Sequence, residues 1–521
     1  MYSTILVIRR NYGGITIGSH VDLSDRGSLS HLSRRHLTAQ LYFVPQTLIF
    51  RDISYSVREN GAQRTLISGV SGICRPGTLT VVLGASGSGK TTFLEVLAKR
   101  KIEGQVRGEI AIANDLNGTD MKINMGYVEQ FDICMPFSTT LENLVHSARL
   151  RLSDSKESHS VETLVQATLD ILGLTHVKDV LAGDANFPSA YRTLSLAERR
   201  KLSLGMELVA NPSILIVDEP TTGLDFEGSM SVMESIANIK RTGRTIICSI
   251  HQPINELFSF FDEAIVLQSG GKQIYCGPLG ENGRFIFDYF KAIGVNPRKC
   301  GDIESSIQDI ISVNNRTNSR PGEKCVDLAQ QYVMSSSKVE LDQVLGQELK
   351  ETSVESYKAL KVNQNFPPLT LQLKMLLKRS MVLYWRNVDY TGSTLVMCVL
   401  TGLIMGLLYY NSRNKMDDEA SFLSLTSFIL ISQGIGGVLK YQMVVPFLCA
   451  QQHVREKEFY NRMCSTFAYL SALFLVETLN IALLTILFSC SYYFLVSVVR
   501  ASKQLKYFLF LLEKRILQLD T

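Results

Sequence analysis

The stretch LTVVLGASGSGKTTF, Leu79 to Phe93, decides how the chain is read. Leu79, Val81, Val82 and Leu83 form the near-continuous apolar run of a buried strand; the residues after it are glycine-rich and then helical. Gly84, Ala85, Ser86, Gly87, Ser88, Gly89, Lys90 and Thr91 fit G-x4-G-K-S/T after a strand and before a helix, the context that gives this pattern its meaning. Backbone N–H groups and a helix N-terminus can wrap phosphate oxygens there, and glycines permit the close approach. In such a loop Lys90 reaches the β- and γ-phosphates and the Thr91 hydroxyl, with Thr92 beside it, ligates Mg2+. Taken alone, the pattern marks any P-loop protein.

Downstream, ILIVDEP sharpens the reading. A buried strand delivers Asp218 towards the metal, and Glu219 beside it is placed to act as general base on an attacking water. An acidic pair at a strand end is common in isolation, but the combination with Lys90 is not. Around these segments, further strands are expected at GEIAIAN, RTIICSI and EAIVLQ, with helices at VETLVQATLDILGL and GSMSVMESIANIKRTG between them. Alternation of this kind predicts an α/β domain built largely on a parallel sheet.

With these residues in place, the chain resembles the ATP-binding cassette transporters. The resemblance implies an α/β P-loop nucleotide-binding domain of the ABC type followed by an α-helical transmembrane region, with ATP and Mg2+ as cofactors. It also assigns roles: Gln130 in GYVEQFD sits where the family has its Q-loop glutamine, which contacts the metal, so Thr91, Gln130 and Asp218 form the expected Mg2+ set. Gly223-Leu224-Asp225 resembles the D-loop, and His251 in SIHQP resembles the histidine that contacts the γ-phosphate. An aromatic that stacks on the nucleobase should precede the P-loop; Tyr55 is the nearest candidate, with strand core as the equal alternative. The HQP triplet, ERRKLSLGMELVANPSILIVDEPTTGLD and IYCGPLGENGRFIFDYFKAIGV look like the G subfamily, and LENLVHSARLRL looks closest to the second cassette of pleiotropic-drug-resistance transporters.

In this family ATP is sandwiched between the P-loop of one cassette and the signature of another. Here the signature reads LSLAE, so Ser195 is kept but Leu196 and Ala197 stand where glycines are usual. Their side chains occupy space that the close approach to a γ-phosphate needs empty. A weakened composite site is therefore expected wherever this signature is used. The partner is a second nucleotide-binding domain, either another ABC half or a missing first half.

The chain has 521 residues, too many for one compact core, and a formal charge of +4, too small to suggest a nucleic-acid partner. Ten cysteines are scattered with no CxxC pair and no zinc spacing, and read as reduced or buried. The expected division is a poorly ordered leader at 1–42, the cassette at 43–295, a connector at 296–365, an amphipathic interfacial helix at 366–387 and a partial transmembrane domain at 388–521. Spanning helices need about 20 apolar residues. Thr391 to Tyr410, Ala420 to Leu439 (with a continuation past Lys440 through VVPFLCA) and Thr478 to Val499 (with STFAYLSALFLV before Glu477) supply three such runs, and a fourth begins at Tyr507 and breaks at Glu513 as if the chain were truncated. Basic residues at Lys374, Lys378, Arg379, Arg386, Arg455, Lys457 and Arg462 put the cassette in the cytosol of a multi-pass membrane protein. Arg500, Lys503 and Lys506 fall on the other side of that scheme. The expected partners are then the bilayer and a small amphipathic cargo.

The function this implies is ATP-driven export of amphipathic, xenobiotic or lipid-like molecules. Two alternatives stand beside it: a truncated, non-transporting ATP-binding subunit, and a soluble ABC-type ATPase of translation or repair.

Overall fold

Each side chain of β5 (Leu79–Gly84) is buried, as its apolar run requires. Leu79, Val81 and Leu83 face one core and Val82 faces another, so both surfaces of the strand are covered. The computed structural model describes residues 8–11, 14–17, 43–59, 61–101, 103–114, 125–152, 161–184, 187, 191–251, 255–293, 328–351, 355–356, 366–408 and 419–496.

Around β5 runs a ten-stranded sheet in the order β12-β6-β3-β4-β11-β10-β5-β9-β8-β7. Its strands are β3 (Gln46–Glu59), β4 (Ala62–Cys74), β6 (Gln105–Asn114), β7 (Met125–Val128), β8 (Ile214–Val217), β9 (Thr245–Ser249), β10 (Glu263–Gln268), β11 (Lys272–Pro278) and β12 (Glu355–Ser356). The half from β10 to β7 is parallel throughout. The other half is not: β3 pairs antiparallel with both β4 and β6, and β10 pairs antiparallel with β11. This corrects the expectation of a largely parallel sheet. The reason is local, since a tight reversal at Gly61, φ +83°, joins β3 to β4 and can only return the chain antiparallel.

Helices cover both faces. α1 (Lys90–Leu97) packs Phe93, Leu94 and Leu97 between the two halves of the sheet, against Phe50, Ile67 and Ile216. On the opposite face lie α2 (Thr140–Arg151), α3 (Val161–Leu172), α4 (Leu196–Leu208) and α5 (Phe226–Arg241), which enclose the larger core. α6 (Arg284–Ala292), α7 (Leu328–Val333) and α8 (Ser336–Glu351) follow. Tyr55 is only 2% exposed in β3, and its hydroxyl donates to the carbonyl of Glu103, so the strand-core alternative holds and the base-stacking role does not. Residues 1–42 form a separate unit in which β1 (Ile8–Asn11) pairs antiparallel with β2 (Gly14–Ile17).

The remaining helices are α9 (Leu369–Arg386), α10 (Val388–Leu408), α11 (Glu419–Ala450), α12 (Gln452–Tyr460) and α13 (Thr466–Val496). Among the described residues two segments are long and apolar enough to cross a membrane, Val388–Leu408 and Thr466–Ser491. The apolar stretches on either side of Glu477 form one helix, α13, which begins at Thr466 and passes through Glu477 unbroken. α11 likewise continues through Lys440 and Pro446. The two charges answer each other: Lys440 Nζ lies 3.4 Å from the Glu477 carboxylate, and the Tyr384 and Tyr390 hydroxyls donate to that carboxylate as well. Paired in this way, charges that would be costly in an apolar helix are tolerated. The broken fourth run and the basic residues at 500–506 lie outside the described residues, as does most of 296–365.

α9 buries Met375, Leu376, Leu383 and Tyr384 against protein and leaves Met381 and Trp385 exposed. Leu376 packs with Cys464, Ala468 and Ala472 of the α13 region, and Met375 packs with Met463 and with Leu150 of α2.

Candidate functional site

The P-loop is built by three constraints that the sequence imposes. Gly84 ends β5 where a side chain would collide with Ser88 Oγ and the Leu267 carbonyl, and Gly89 caps α1 in the left-handed region at φ +92°. Only glycine meets both demands at little cost. Lys90, 5% exposed, folds back so that its ammonium donates to the carbonyls of Gly84 at 2.8 Å and Ala85 at 3.2 Å. Burial pushes its pKa down, and the nearby Glu219 and Asp218 carboxylates push it back up. Ser88 Oγ is buried with no hydrogen-bond partner among the described residues, an orphan that an oxygen-rich ligand would satisfy.

Opposite stands the end of β8. The Asp218 N–H donates to Val128 O of β7, and the side chain accepts a 2.5 Å hydrogen bond from Ser249 Oγ of β9. Burial raises the Asp218 pKa, while the Ser249 and Thr91 hydroxyls beside the carboxylate lower it. Glu219 sits at φ +45°, a left-handed conformation that costs a residue with a Cβ about 1 kcal/mol or more. Its N–H donates to Ser249 Oγ at 2.9 Å, and its carboxylate accepts from Gln130 Nε2 at 2.8 Å and Thr222 Oγ1 at 2.9 Å. Lys90, Thr91, Gln130, Asp218 and Glu219 are therefore brought together from separate segments of chain.

The oxygen donors at this point suit a small hard cation. Thr91 hydroxyl, Asp218 carboxylate and the Gln130 amide are the types Mg2+ takes when phosphates and water complete its shell. Among the described residues no three His, Cys, Asp or Glu side chains converge on a point.

Ser195 and Asp225 lie elsewhere, as N-caps of α4 and α5. Ser195 Oγ accepts from the Glu198 N–H and donates to the Glu198 carboxylate, which in turn accepts from the Ser195 N–H. This is a closed capping box, and S-L-A-E carries its S-x-x-E pattern. Leu196, just inside the helix, is 53% exposed. Asp225 Oδ1 accepts from the Gly228 N–H at 3.0 Å. None of the described contacts joins these two caps to the Lys90 cluster. His251 stands exposed two residues beyond β9, beside residues 252–254, which lie outside the described ones. Ser249 was missed from sequence. Its signal is a hydroxyl at the C-terminal end of the buried strand TIICS, the same end at which ILIVDE carries its acidic pair.

Below the site, the helices that follow the cassette dock on it through buried charges. Arg379 of α9 forms a two-pronged pair with Glu458 of α12, and His146 Nε2 of α2 lies 2.8 Å from its guanidinium and 3.4 Å from the Glu458 carboxylate. Burial alone would raise the Glu458 pKa, but Arg379 and His146 outweigh it and hold it at about 2. The stability this supplies is present above the ordinary carboxylate value of 4.5 and is lost as pH falls towards 2. Glu458→Ala strands Arg379 without its partner, and the expected loss is about 3–5 kcal/mol of stability. A thermal-unfolding difference below about 1 kcal/mol would contradict the pairing.

Two family models match the chain: "ABC transporter" over residues 67–222 and "ABC-2 type transporter" over residues 371–512. ABC transporter G family member 30 of Arabidopsis thaliana is 33% identical over 442 residues, covering 84% of this chain and 31% of that protein. Member 15 of Dictyostelium discoideum is 33% identical over 452 residues, covering 84% and 29%. Member 39 of Oryza sativa subsp. japonica is 31% identical over 491 residues, covering 90% and 33%. The chain thus spans about a third of the length of these relatives.

Proposed function

The chain belongs to the G family of ABC transporters, a membrane protein with its cassette in the cytosol, and from that premise we propose that it binds and hydrolyses ATP to move an amphipathic molecule across the bilayer. The observation that carries this reading is the convergence of Lys90, Thr91, Gln130, Asp218 and Glu219 in a cassette joined through α9 and α12 to long apolar helices.

In this reading Lys90 and the P-loop N–H groups hold the triphosphate, and Thr91, Asp218 and Gln130 hold Mg2+, whose charge offsets that of the β- and γ-phosphates when bound. Glu219 takes the proton from the attacking water, and Gln130 and Thr222, both bonded to its carboxylate, fix its direction. The proposed partner is a second cassette, whose signature closes over this P-loop. Closing and reopening reach the membrane through α2 and α12, which Arg379 and Arg386 of α9 grip by way of Glu458 and Glu142.

This chain's own signature supports less. The polar atoms of Ser195 are already bonded to Glu198, and the exposed Leu196 carries a side chain where the family's signature has glycine. The composite site that uses it is therefore weakened, and the double change Leu196→Gly, Ala197→Gly is expected to raise hydrolysis about tenfold. An unchanged rate would remove the steric argument.

Transport itself is tested with inside-out vesicles and rhodamine 6G. Uptake that needs Mg·ATP and exceeds that of vesicles without the chain is the expected result. ATP binding without uptake would favour the non-transporting ATP-binding subunit, a reading the self-satisfied Ser195 cap also suits. Absence of both overturns the proposal.

A further inference from the structure

Asn461 follows α12, at the turn that leads into α13. Its backbone N–H donates to Lys457 O at 3.0 Å, and Arg462 after it adopts a left-handed φ of +54°, so the side chain leaves from a fixed corner. Its two amide atoms bond in opposite directions. Oδ1 accepts from Arg100 Nη2 at 2.9 Å, and Nδ2 donates to Glu207 Oε1 at 2.9 Å.

These partners belong to different parts of the cassette. Arg100 follows α1, the helix that Lys90 begins, and its guanidinium pairs with Glu129, the neighbour of Gln130, while stacking 4.5 Å over Tyr127 of β7. Glu207 lies near the end of α4, about 18 Å along the helix from Ser195 at a rise of about 1.5 Å per residue. It is buried, bonded to Arg151 of α2 at 2.7 Å and near Lys457 of α12 at 4.0 Å. One side chain outside the cassette therefore touches both the phosphate side, through Arg100, Glu129, Gln130 and Glu219, and the signature helix.

We propose that Asn461 is a positioning residue that couples the P-loop side and the signature helix of the cassette to the membrane helices. This rests on the ATP-driven reading of the chain. An amide suits the place because it offers an acceptor to a cation and a donor to an anion, each bond charge-assisted. Asp at this position keeps Arg100 but sets a carboxylate against Glu207; Leu loses both bonds.

The test is hydrogen exchange on the full chain in lipid nanodiscs, with and without Mg·ATP. In the unmodified chain nucleotide should slow exchange in both the Gly84–Thr91 and the Gln452–Tyr460 peptides, the latter about fivefold. Asn461→Asp and Asn461→Leu should cut the slowing in Gln452–Tyr460 to below about 1.5-fold while leaving that of the P-loop peptide, and so nucleotide binding and folding, intact. Adding Glu207→Gln to Asn461→Asp restores a donor facing an acceptor and should recover the effect, which a merely structural role would not. Full slowing in Asn461→Asp, or no recovery in the double variant, overturns the proposal. No slowing at the P-loop of the unmodified chain would instead sink the ATP reading on which it rests.

Discussion

Glu219→Gln should lower ATP hydrolysis by about 10^2- to 10^4-fold while leaving ATP bound. The substitution keeps size and shape and removes only the ability to take a proton. Its amide still meets Gln130 Nε2 or Thr222 Oγ1 through its oxygen, and the left-handed backbone that the Ser249 hydroxyl pins is unchanged. The readouts are phosphate release from membranes containing the chain and retention of labelled ATP after washing. Undiminished phosphate release would remove Glu219 as the base, whereas lost ATP retention would mean that its carboxylate serves the fold of the site rather than its chemistry.

A second large effect is expected at Lys90. Replacing it by Ala deletes the one ammonium held among the P-loop carbonyls and beside two carboxylates. A hydrogen bond to a charged group contributes about 1.5–3 kcal/mol, so nucleotide affinity should fall about 10- to 100-fold. Titration with a fluorescent ATP analogue measures it. Affinity unchanged in Lys90→Ala would mean that the loop from Gly84 to Thr91 does not hold the triphosphate.

Both predictions rest on residues that could be named from sequence, for a shared reason. Lys90 and Thr91 are fixed by their own loop, and Asp218 and Glu219 by the strand they end, so short-range pattern sufficed. Tertiary placement was less accessible. Ser249 reaches Asp218 and Glu219 because β9 lies between β5 and β8, an order that nothing within TIICS dictates. Asn461 and Glu207 are 254 positions apart, and no local periodicity connects them. Composition alone does not say whether the apolar runs on either side of Glu477 join: a window that counts charges stops there, whereas the helix continues and Lys440, Tyr384 and Tyr390 come from three other helices to meet that charge. The antiparallel half of the sheet was hidden likewise, since strands of both kinds carry the same apolar residues.

The pairing of Lys440 with Glu477 also bears on biogenesis. For a helix entering lipid singly, one central charge costs about 2.5–3.5 kcal/mol, so α11 and α13 would each partition poorly when delivered one after the other. Meeting before either faces lipid removes that cost, so assembly that brings Lys440 to Glu477 early is favoured by about the same amount.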